Sequence, residues 1–284
     1  MTLAVVIVSW NVRELLRKCL TSLFADIQRA DVNARVLVVD SASADESAQM
    51  VRSEFASVEL TACDENIGFV RGNNLVLRQL GMLGDSAANA PEYTWLLNPD
   101  TEVQPGTVRV LLDFMDQHPH CGLCGPRLIN ADGSLQHGAF EFPGLTQLAL
   151  ETQPILWRFR GTRLDGRYSP ETYSAGKAFR IGHPLGAAML ARSAAVKQVG
   201  ALDAGYEMYS EEVDWAMRMK KAGWERWCVP SAVVVHYGGA SSGQASDRAE
   251  RTKWRSRKYY YHRHYSPLKR WLAVQMIPSQ YRSD

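Results

Sequence analysis

YTWLLNPDT, residues 93–101, is the stretch on which the fold turns. A largely apolar run stops at Asn98, a proline follows, and one carboxylate, Asp100, stands beyond it. Taken alone this is a strand ending in a turn, because Asn-Pro and Pro-Asp punctuate chains without any chemistry. The alternative is that the carboxyl end of a strand holds an acid in a ligand crevice. The neighbouring segments decide between the two. LAVVIV (3–8) and ARVLVVD (34–40) are continuous β-branched runs, the mark of strands buried on both faces. Val58–Ala62 is a weaker third strand, and Tyr93–Leu97 is the fourth. Helical periodicity follows the first through Leu15, Leu16, Cys19, Leu20 and Leu23, and follows the third through Leu75, Val76 and Leu80. Gly106–Phe114 is helical after the fourth. Strands alternating with helices imply an α/β fold with a doubly wound, mostly parallel sheet flanked by helices. In such sheets ligands bind outside the carboxyl ends of strands. Ser9 with Asn11, Asp40, Asn66 with Gly68, and Asp100 all fall at those ends.

After Pro126 the alternation fails. Residues 130–180, rich in Gly, Pro, Tyr and Phe, read as long loops. Order returns with a strand at GAAMLAR (186–192) and a helix in YSEEVDWAMRMKKAGWE that closes at Gly223. VPSAVVVHYGGASSG then carries a further strand into a glycine-rich loop. No internal repeat and no domain linker is visible.

Bulk composition narrows the function classes. The 284-residue chain is 46% hydrophobic and 22% charged, as in a soluble globular protein, and its net charge of +2 excludes a general nucleic-acid binder. The charge is uneven: nine Lys/Arg and a single acid, Glu250, lie between Arg248 and Arg270. Five cysteines at irregular spacing suit reduced thiols in a cytosolic protein. Cys121-Gly-Leu-Cys124 lacks a second ligand pair for zinc and reads as a buried strand. No stretch approaches the roughly 18–20 apolar residues of a membrane span, and the run 3–8 is a strand rather than a targeting sequence.

Two further clusters can carry chemistry. Ser210-Glu211-Glu212-Val213-Asp214 places three acids in the first turn of a helix, with Ser210 as a natural N-cap. Glu211 and Asp214 share a helix face and Glu212 points elsewhere. His236 ends VVVH before Tyr-Gly-Gly-Ala-Ser-Ser-Gly, whose backbone N–H groups suit phosphate oxygens. The loop is neither a P-loop nor GxGxxG, so ATPase and Rossmann fingerprints are not met.

VVIVSWN, VVDSASADES, ENIGFVRGNN, LLNPDTEV, the GA-containing strand, LDAGYEMYSEEVDWAMRMKKAGW and HYGGAS occur in one order. In that order the chain resembles the inverting, nucleotide-sugar-dependent glycosyltransferases of family 2, with the GT-A fold, and within them bacterial rhamnosyltransferases. The resemblance spans roughly residues 3–265. It implies a GT-A domain over 1–245, with a nucleotide-binding half (1–128) and an acceptor-binding half (129–245), and a basic, aromatic helical extension over 246–284. It implies that Asp40 hydrogen-bonds the nucleotide base and that Ser9 and Asn11 line the same pocket. Arg71 would lie near base and phosphates, and Asn66, Gly68, Asn74 and Asn98 would complete the nucleotide-sugar site. Asn98-Pro-Asp100 stands where the family carries DxD, so Asp100 and His236 would be metal ligands, for Mg²⁺ or Mn²⁺, the imidazole tilting toward Mn²⁺.

An inverting transfer needs a general base beside the acceptor hydroxyl. Relatives use the aspartate of a Glu-Asp pair; Glu212 stands at that place here, with Asp214 as its alternative. Ile181-Gly182-His183-Pro184 also departs from an acidic-aromatic pair that relatives carry near the sugar. The implied partners are a nucleotide diphosphate sugar and a glycan or lipid-linked acceptor, with no nucleic acid. KWRSRKYYYHRHYSPLKRWL suits an anionic membrane surface, which places the protein in the cytoplasm and at the inner face of the membrane; a homodimer is left open. The competing readings are a non-catalytic nucleotide-sugar binder, a nucleic-acid binder and a nucleotidyltransferase. The nucleic-acid binder would need a recognition module that the chain lacks, and the nucleotidyltransferase a basic glycine-rich loop where Ser9-Trp10-Asn11 stands.

Overall fold

The structure is a computed structural model and describes residues 2–83, 90–159, 161–238 and 246–282. Its first half runs β1 (Thr2–Ser9), α1 (Arg13–Ala30), β2 (Asn33–Asp40), α2 (Ser47–Glu54), β3 (Glu59–Ala62), α3 (Gly68–Gln79), β4 (Tyr93–Leu97), β5 (Thr101–Val103) and α4 (Thr107–Gln117). The second half runs β6 (Cys121–Ile129), β7 (Leu135–Gln136), β8 (Ala139–Phe140), α5 (Leu145–Thr152), α6 (Pro170–Ser174), β9 (Phe179–Arg180) and β10 (His183–Pro184). It continues through β11 (Ala188–Arg192), α7 (Ser193–Val199), α8 (Glu211–Lys221), β12 (Glu225–His236), α9 (Ser246–His264) and α10 (Pro267–Met276). Two 3₁₀ turns, Pro154–Phe159 and Arg163–Asp165, link α5 to α6.

The main sheet has the order β3-β2-β1-β4-β11-β6-β12-β5. β1, β2, β3 and β4 are mutually parallel, β11 lies antiparallel between β4 and β6, and β5 is antiparallel to β12. The sheet is therefore mixed, with a parallel half that ends its strands along one edge.

Both faces of the sheet are covered because alternate residues of each strand point to opposite sides. Val5, Ile7, Val36 and Val38 pack with Leu16, Leu20 and Leu23 of α1 and Leu111, Leu112 and Met115 of α4. Ala4, Val6, Leu37 and Val39 face α3, α7 and α8, through Val76, Leu77, Val196, Trp215 and Met219. A third cluster joins Leu148 of α5 and Val213 of α8 to Trp254, Tyr260, Tyr261, Ala273 and Ile277. The aromatic tail thus contributes core, and its tyrosines 260 and 261 are fully covered.

The long loops expected over 130–180 hold β7, β8, α5, α6 and β9 instead. The short elements carry too few turns for a period to be legible. Cys121 and Cys124 are buried free thiols in β6, and all five cysteines are free.

Gly72 sets how closely α3 approaches β1. A Cβ there would lie 2.8 Å from both γ-carbons of Val8, a β-branched side chain with little rotamer freedom to yield. Gly72→Ala is expected to lower stability by about 1–3 kcal/mol, measured by urea unfolding; an unchanged midpoint would refute the close packing.

Candidate active site

The edge where the parallel strands end carries the polar groups. Ser9 and Asp40 are register partners at the ends of β1 and β2. Both are buried, and Ser9 Oγ and Asp40 Oδ1 have no hydrogen-bond partner, which marks a place where a ligand would complete the bonding. The other carboxylate oxygen of Asp40 accepts from the Ser43 amide at 3.1 Å. Asn11, in a left-handed conformation, accepts from the Ala44 amide at 2.7 Å while its own amide donates to Ser43 Oγ. Ser41 Oγ donates to Asn66 Oδ1 and accepts from the Ile67 amide. Gly68 has φ +72 with open space where a Cβ would stand, and Arg71 is exposed on the first turn of α3.

The opening stretch leaves β4 at this same edge. Asn98 donates its amide to the carbonyl of Ala187, in the turn just before β11, and its own carbonyl accepts from Thr101 Oγ1 at 2.7 Å, which fixes the Asn-Pro-Asp turn. Thr101 is then the register partner of His236, because β5 turns back along β12. Asp100 and His236 are consequently adjacent, with Oδ1 3.4 Å from Nε2. On its other side the imidazole is held by Gln136, whose Oε1 lies 2.7 Å from Nδ1. Gln136 Nε2 also donates to the His236 carbonyl at 3.2 Å and to Asn130 Oδ1 at 2.9 Å. A bond from Nδ1–H to Gln136 leaves the Nε2 lone pair facing Asp100, the arrangement of a metal-ligating histidine with its outer support. One carboxylate and one imidazole at this separation fit a single divalent cation, whose remaining ligands would come from phosphate oxygens. Among the described residues no group of three or more His, Cys, Asp or Glu could hold a metal. The glycine-rich loop proposed to meet phosphates, Gly239–Gly243, lies outside the described residues.

The acids of α8 have different fates. Tyr209 and Ser210 both adopt φ +67, an uncommon pair of left-handed residues that turns the chain sharply into the helix. Ser210 makes no side-chain cap hydrogen bond, contrary to the N-cap expectation, because its backbone is in that left-handed turn. Glu211 is buried and Glu212 partly open, and each has its Oε2 buried without a partner. Burial, with the charge of Glu212 behind it, pushes the Glu211 carboxyl up to about 8. Burial also pushes Glu212 up, with amide groups at the helix start and the charge of Arg257 pulling the other way. Glu212 packs against Gly186 just before β11: a Cβ at Gly186 would lie 3.9 Å from both its Cβ and its Cγ. Gly186 adjoins Ala187, the partner of Asn98, so the base candidate and the Asn-Pro-Asp turn flank the same chain segment.

Two expectations are corrected. Asp214 is fully buried and saturated: Arg218 donates at 2.7 Å, His264 Nε2 lies 2.7 Å away, and Arg263 and Tyr206 approach at 3.4 and 3.5 Å. Burial opposes its ionisation, yet His264, Arg218 and Arg263 outweigh that and hold the carboxyl below its ordinary value. It is closed to any acceptor and anchors α9 to α8. Asn74 is not a ligand group either. Its amide clamps Leu202, donating to the carbonyl at 2.7 Å and accepting from the amide at 3.1 Å. His183 stacks on Phe140 in the core, and burial pushes it down to about 4, so it is neutral. Gln136 adjoins His236, Gly186 and Arg257 adjoin Glu212, and none of the three was found from sequence. Gln136 sits in the stretch read as loop, Gly186 is one small residue among several, and Arg257 is one of nine basic residues in the tail.

Comparison with known proteins gives the family and the fold. The profile of "Glycosyl transferase family 2" matches residues 4–182. Two curated relatives, from Mycobacterium tuberculosis strains CDC 1551 and H37Rv, are both named N-acetylglucosaminyl-diphospho-decaprenol L-rhamnosyltransferase. Each is 30% identical over 252 residues, covering 85% of this chain and 78% of that protein. Among solved structures, S. aureus TarS 1–349 with UDP-GlcNAc superposes with a TM-score of 0.60 at 14% identity, over 99% of this chain and 71% of that one. The mannosyltransferase PcManGT of Pyrobaculum calidifontis with GDP-Man and Mn²⁺ gives 0.60 at 15%, over 96% and 68%. GalNAc-T7 with UDP, GalNAc and Mn²⁺ gives 0.59 at 15%, over 92% of this chain and 50% of that one. The fold is that of the GT-A glycosyltransferases. The chain belongs to glycosyl transferase family 2, and it is a glycosyltransferase.

The raised Glu211 carboxyl has a thermodynamic signature. Glu211 holds its proton more tightly folded than unfolded, so its contribution is complete below the ordinary carboxylate range and is lost as pH rises to about 8. Glu211→Gln is expected to melt with wild type near pH 5 and above it at pH 9. Parallel melting curves across that range would contradict a buried, protonated Glu211.

Proposed function

We propose that the protein transfers a 6-deoxyhexose of the rhamnose type from a nucleoside diphosphate sugar to a hydroxyl of a glycan carried on a lipid diphosphate, with inversion at the anomeric carbon. The observation that carries this reading is the 3.4 Å pair of Asp100 and His236 at the turn bonded to Ala187, next to the glycine that Glu212 packs against. The donor class and lipid-linked acceptor are supported by the two M. tuberculosis relatives. Ser9, Asn11 and Asp40 receive the base, with the orphaned Ser9 and Asp40 oxygens as its hydrogen-bond partners. Asn66, Gly68, Arg71 and Asn98 border the path from base to phosphates. A divalent cation, Mg²⁺ or Mn²⁺, bound between Asp100 and His236 would offset the charge on the departing diphosphate.

Glu212 takes the proton of the acceptor hydroxyl as its oxygen forms a bond to the anomeric carbon, and the bond to the diphosphate breaks on the opposite face. The side chain is longer than an aspartate, and the glycine at position 186 gives its methylenes room to lie against the backbone. A general base must be ionised to act. Arg257 opposes the burial that would protonate it.

Work on a lipid-linked acceptor implies peripheral contact with the inner face of an anionic membrane. Among the described residues no helix is long and apolar enough to cross one.

Asp100→Ala is expected to lose transfer by roughly 10²–10³-fold while melting with wild type, and to lose the extra stabilisation that Mn²⁺ adds to a panel of nucleoside diphosphate sugars in thermal shift. Full activity in that variant would remove the metal assignment. Glu212→Gln should bind donor but not transfer, and Arg257→Met should move the acid limb of the pH–rate profile to higher pH. An unmoved limb would separate Arg257 from the base.

A further inference from the structure

Seven large hydrophobic side chains stand exposed among the described residues, and six of them lie on three short elements. Ile155 (78% exposed) and Trp157 belong to the 3₁₀ turn after α5, Leu164 to the next turn, and Leu268 (68%), Trp271 (59%) and Leu272 to α10. Both 3₁₀ turns and α10 pack against α5, so the exposed groups surround one helix. On α10 they fall at i, i+3 and i+4, one stripe of the helix, while Ala273 and Ile277 face inward. Scattered exposed leucines need no explanation; this concentration does.

The charges around them are mostly positive. From Gln153 to Leu164 the sequence holds three arginines and no acid, and from Tyr265 to Arg282 it holds Lys269, Arg270 and Arg282 and no acid. Beside Leu164, Arg163 opens into a surface hollow of about 410 Å³ shared with Arg167 and Arg180. Asp165 and Glu225 pair with the latter two, and the hollow keeps a net positive charge.

We propose that the face formed by α10 and the two 3₁₀ turns after α5 docks on an anionic lipid surface, its leucines, isoleucine and tryptophans entering the headgroup boundary and its arginines and lysine meeting phosphates. The proposal rests on the lipid-linked acceptor reading above and names the surface that reading lacked. Tryptophan and leucine beside Lys and Arg are the composition of an interfacial helix. A second copy of the chain fits poorly, because two such faces would bring like charges together. The location serves the chemistry: α5 and α10 share a core cluster with Val213, the neighbour of Glu212, so docking here holds the base beside the bilayer where a lipid-linked hydroxyl arrives. The face also differs from the aromatic tail as first read. Tyr260, Tyr261 and Trp254 are buried, and the contact falls to α10 together with a segment a hundred residues earlier.

The test is co-sedimentation of the full chain with phosphatidylcholine vesicles, with and without phosphatidylglycerol. Wild type is expected to pellet only with the anionic vesicles and to be released by salt. The pair Leu268→Gln with Trp271→Gln should bind at least about tenfold more weakly. The pair Arg158→Gln with Lys269→Gln should lose about fivefold per charge. Both should keep the wild-type melting temperature, donor-induced stabilisation and transfer to a short-chain soluble acceptor. Equal pelleting of both variants and wild type, or no preference for anionic vesicles, would overturn the proposal. So would wild-type dimers in sedimentation equilibrium that Leu268→Gln with Trp271→Gln dissociates, since the face would then belong to a second copy. If donor fails to stabilise even wild type while vesicle binding behaves as expected, the docking face stands and the glycosyl-transfer assignment of the site fails.

Discussion

The pairing of β5 with the last residues of β12 is the constraint on which the site depends. Three residues after the Asn-Pro-Asp turn lie antiparallel to Val234, Val235 and His236, and that register alone brings a carboxylate from position 100 to an imidazole more than a hundred residues later. The turn feeding β5 is itself fixed by backbone bonds: Asn98 to Ala187 in one direction, and Tyr237 to the Asp100 carbonyl in the other. The Asp100–His236 pair is therefore held by main chain on both sides, with Gln136 fixing the ring. Preorganisation of this kind keeps catalytic groups from having to be ordered during the reaction.

Helix α8 shows how two acids two residues apart meet opposite surroundings. Glu212 is partly open, and Arg257 is the cation whose field favours its charged form. Asp214 is surrounded by two arginines and a histidine and is spent on structure. Removing one partner of a buried, saturated charge costs more than the pair contributes, because the other is left uncompensated. The tail helix α9 is tied to α8 through this carboxylate, and the same helix carries Arg257. The basic tail is thus divided: His264 and Arg263 serve packing, Arg257 faces the acids, and the outer surface of α10 is left apolar and cationic.

Most of the parallel half was legible in the sequence because its strands are buried on both faces and read as unbroken β-branched runs. LAVVIV and ARVLVVD need no tertiary information to be recognised. Strand-end logic then brought Ser9, Asp40 and Asp100 to one edge. The misses have physical causes. Asn74 sits among polar residues of GFVRGNN, and only a clamp on Leu202, distant in sequence, reveals it as structural. Asp214 shares its turn with two other acids, and the pattern of charges cannot say which of them finds arginines. Gln136 and the short elements of 130–180 gain order from tertiary contacts rather than from any period of their own. The tyrosines of the tail carry the composition of a membrane belt and the burial of a core, which composition cannot separate.

The position of β11 has a bearing on how the chain reaches its native state. Strand β4 pairs with β1 on one side at once, but its other side is filled by β11, so Leu97 must wait for Ala188. That partner leaves the ribosome roughly ninety residues, or about 5–20 seconds, later. Through that interval β4 presents an apolar, unpaired edge, the kind of template on which nascent chains associate. A sheet with a late strand in its middle cannot close until that strand has emerged.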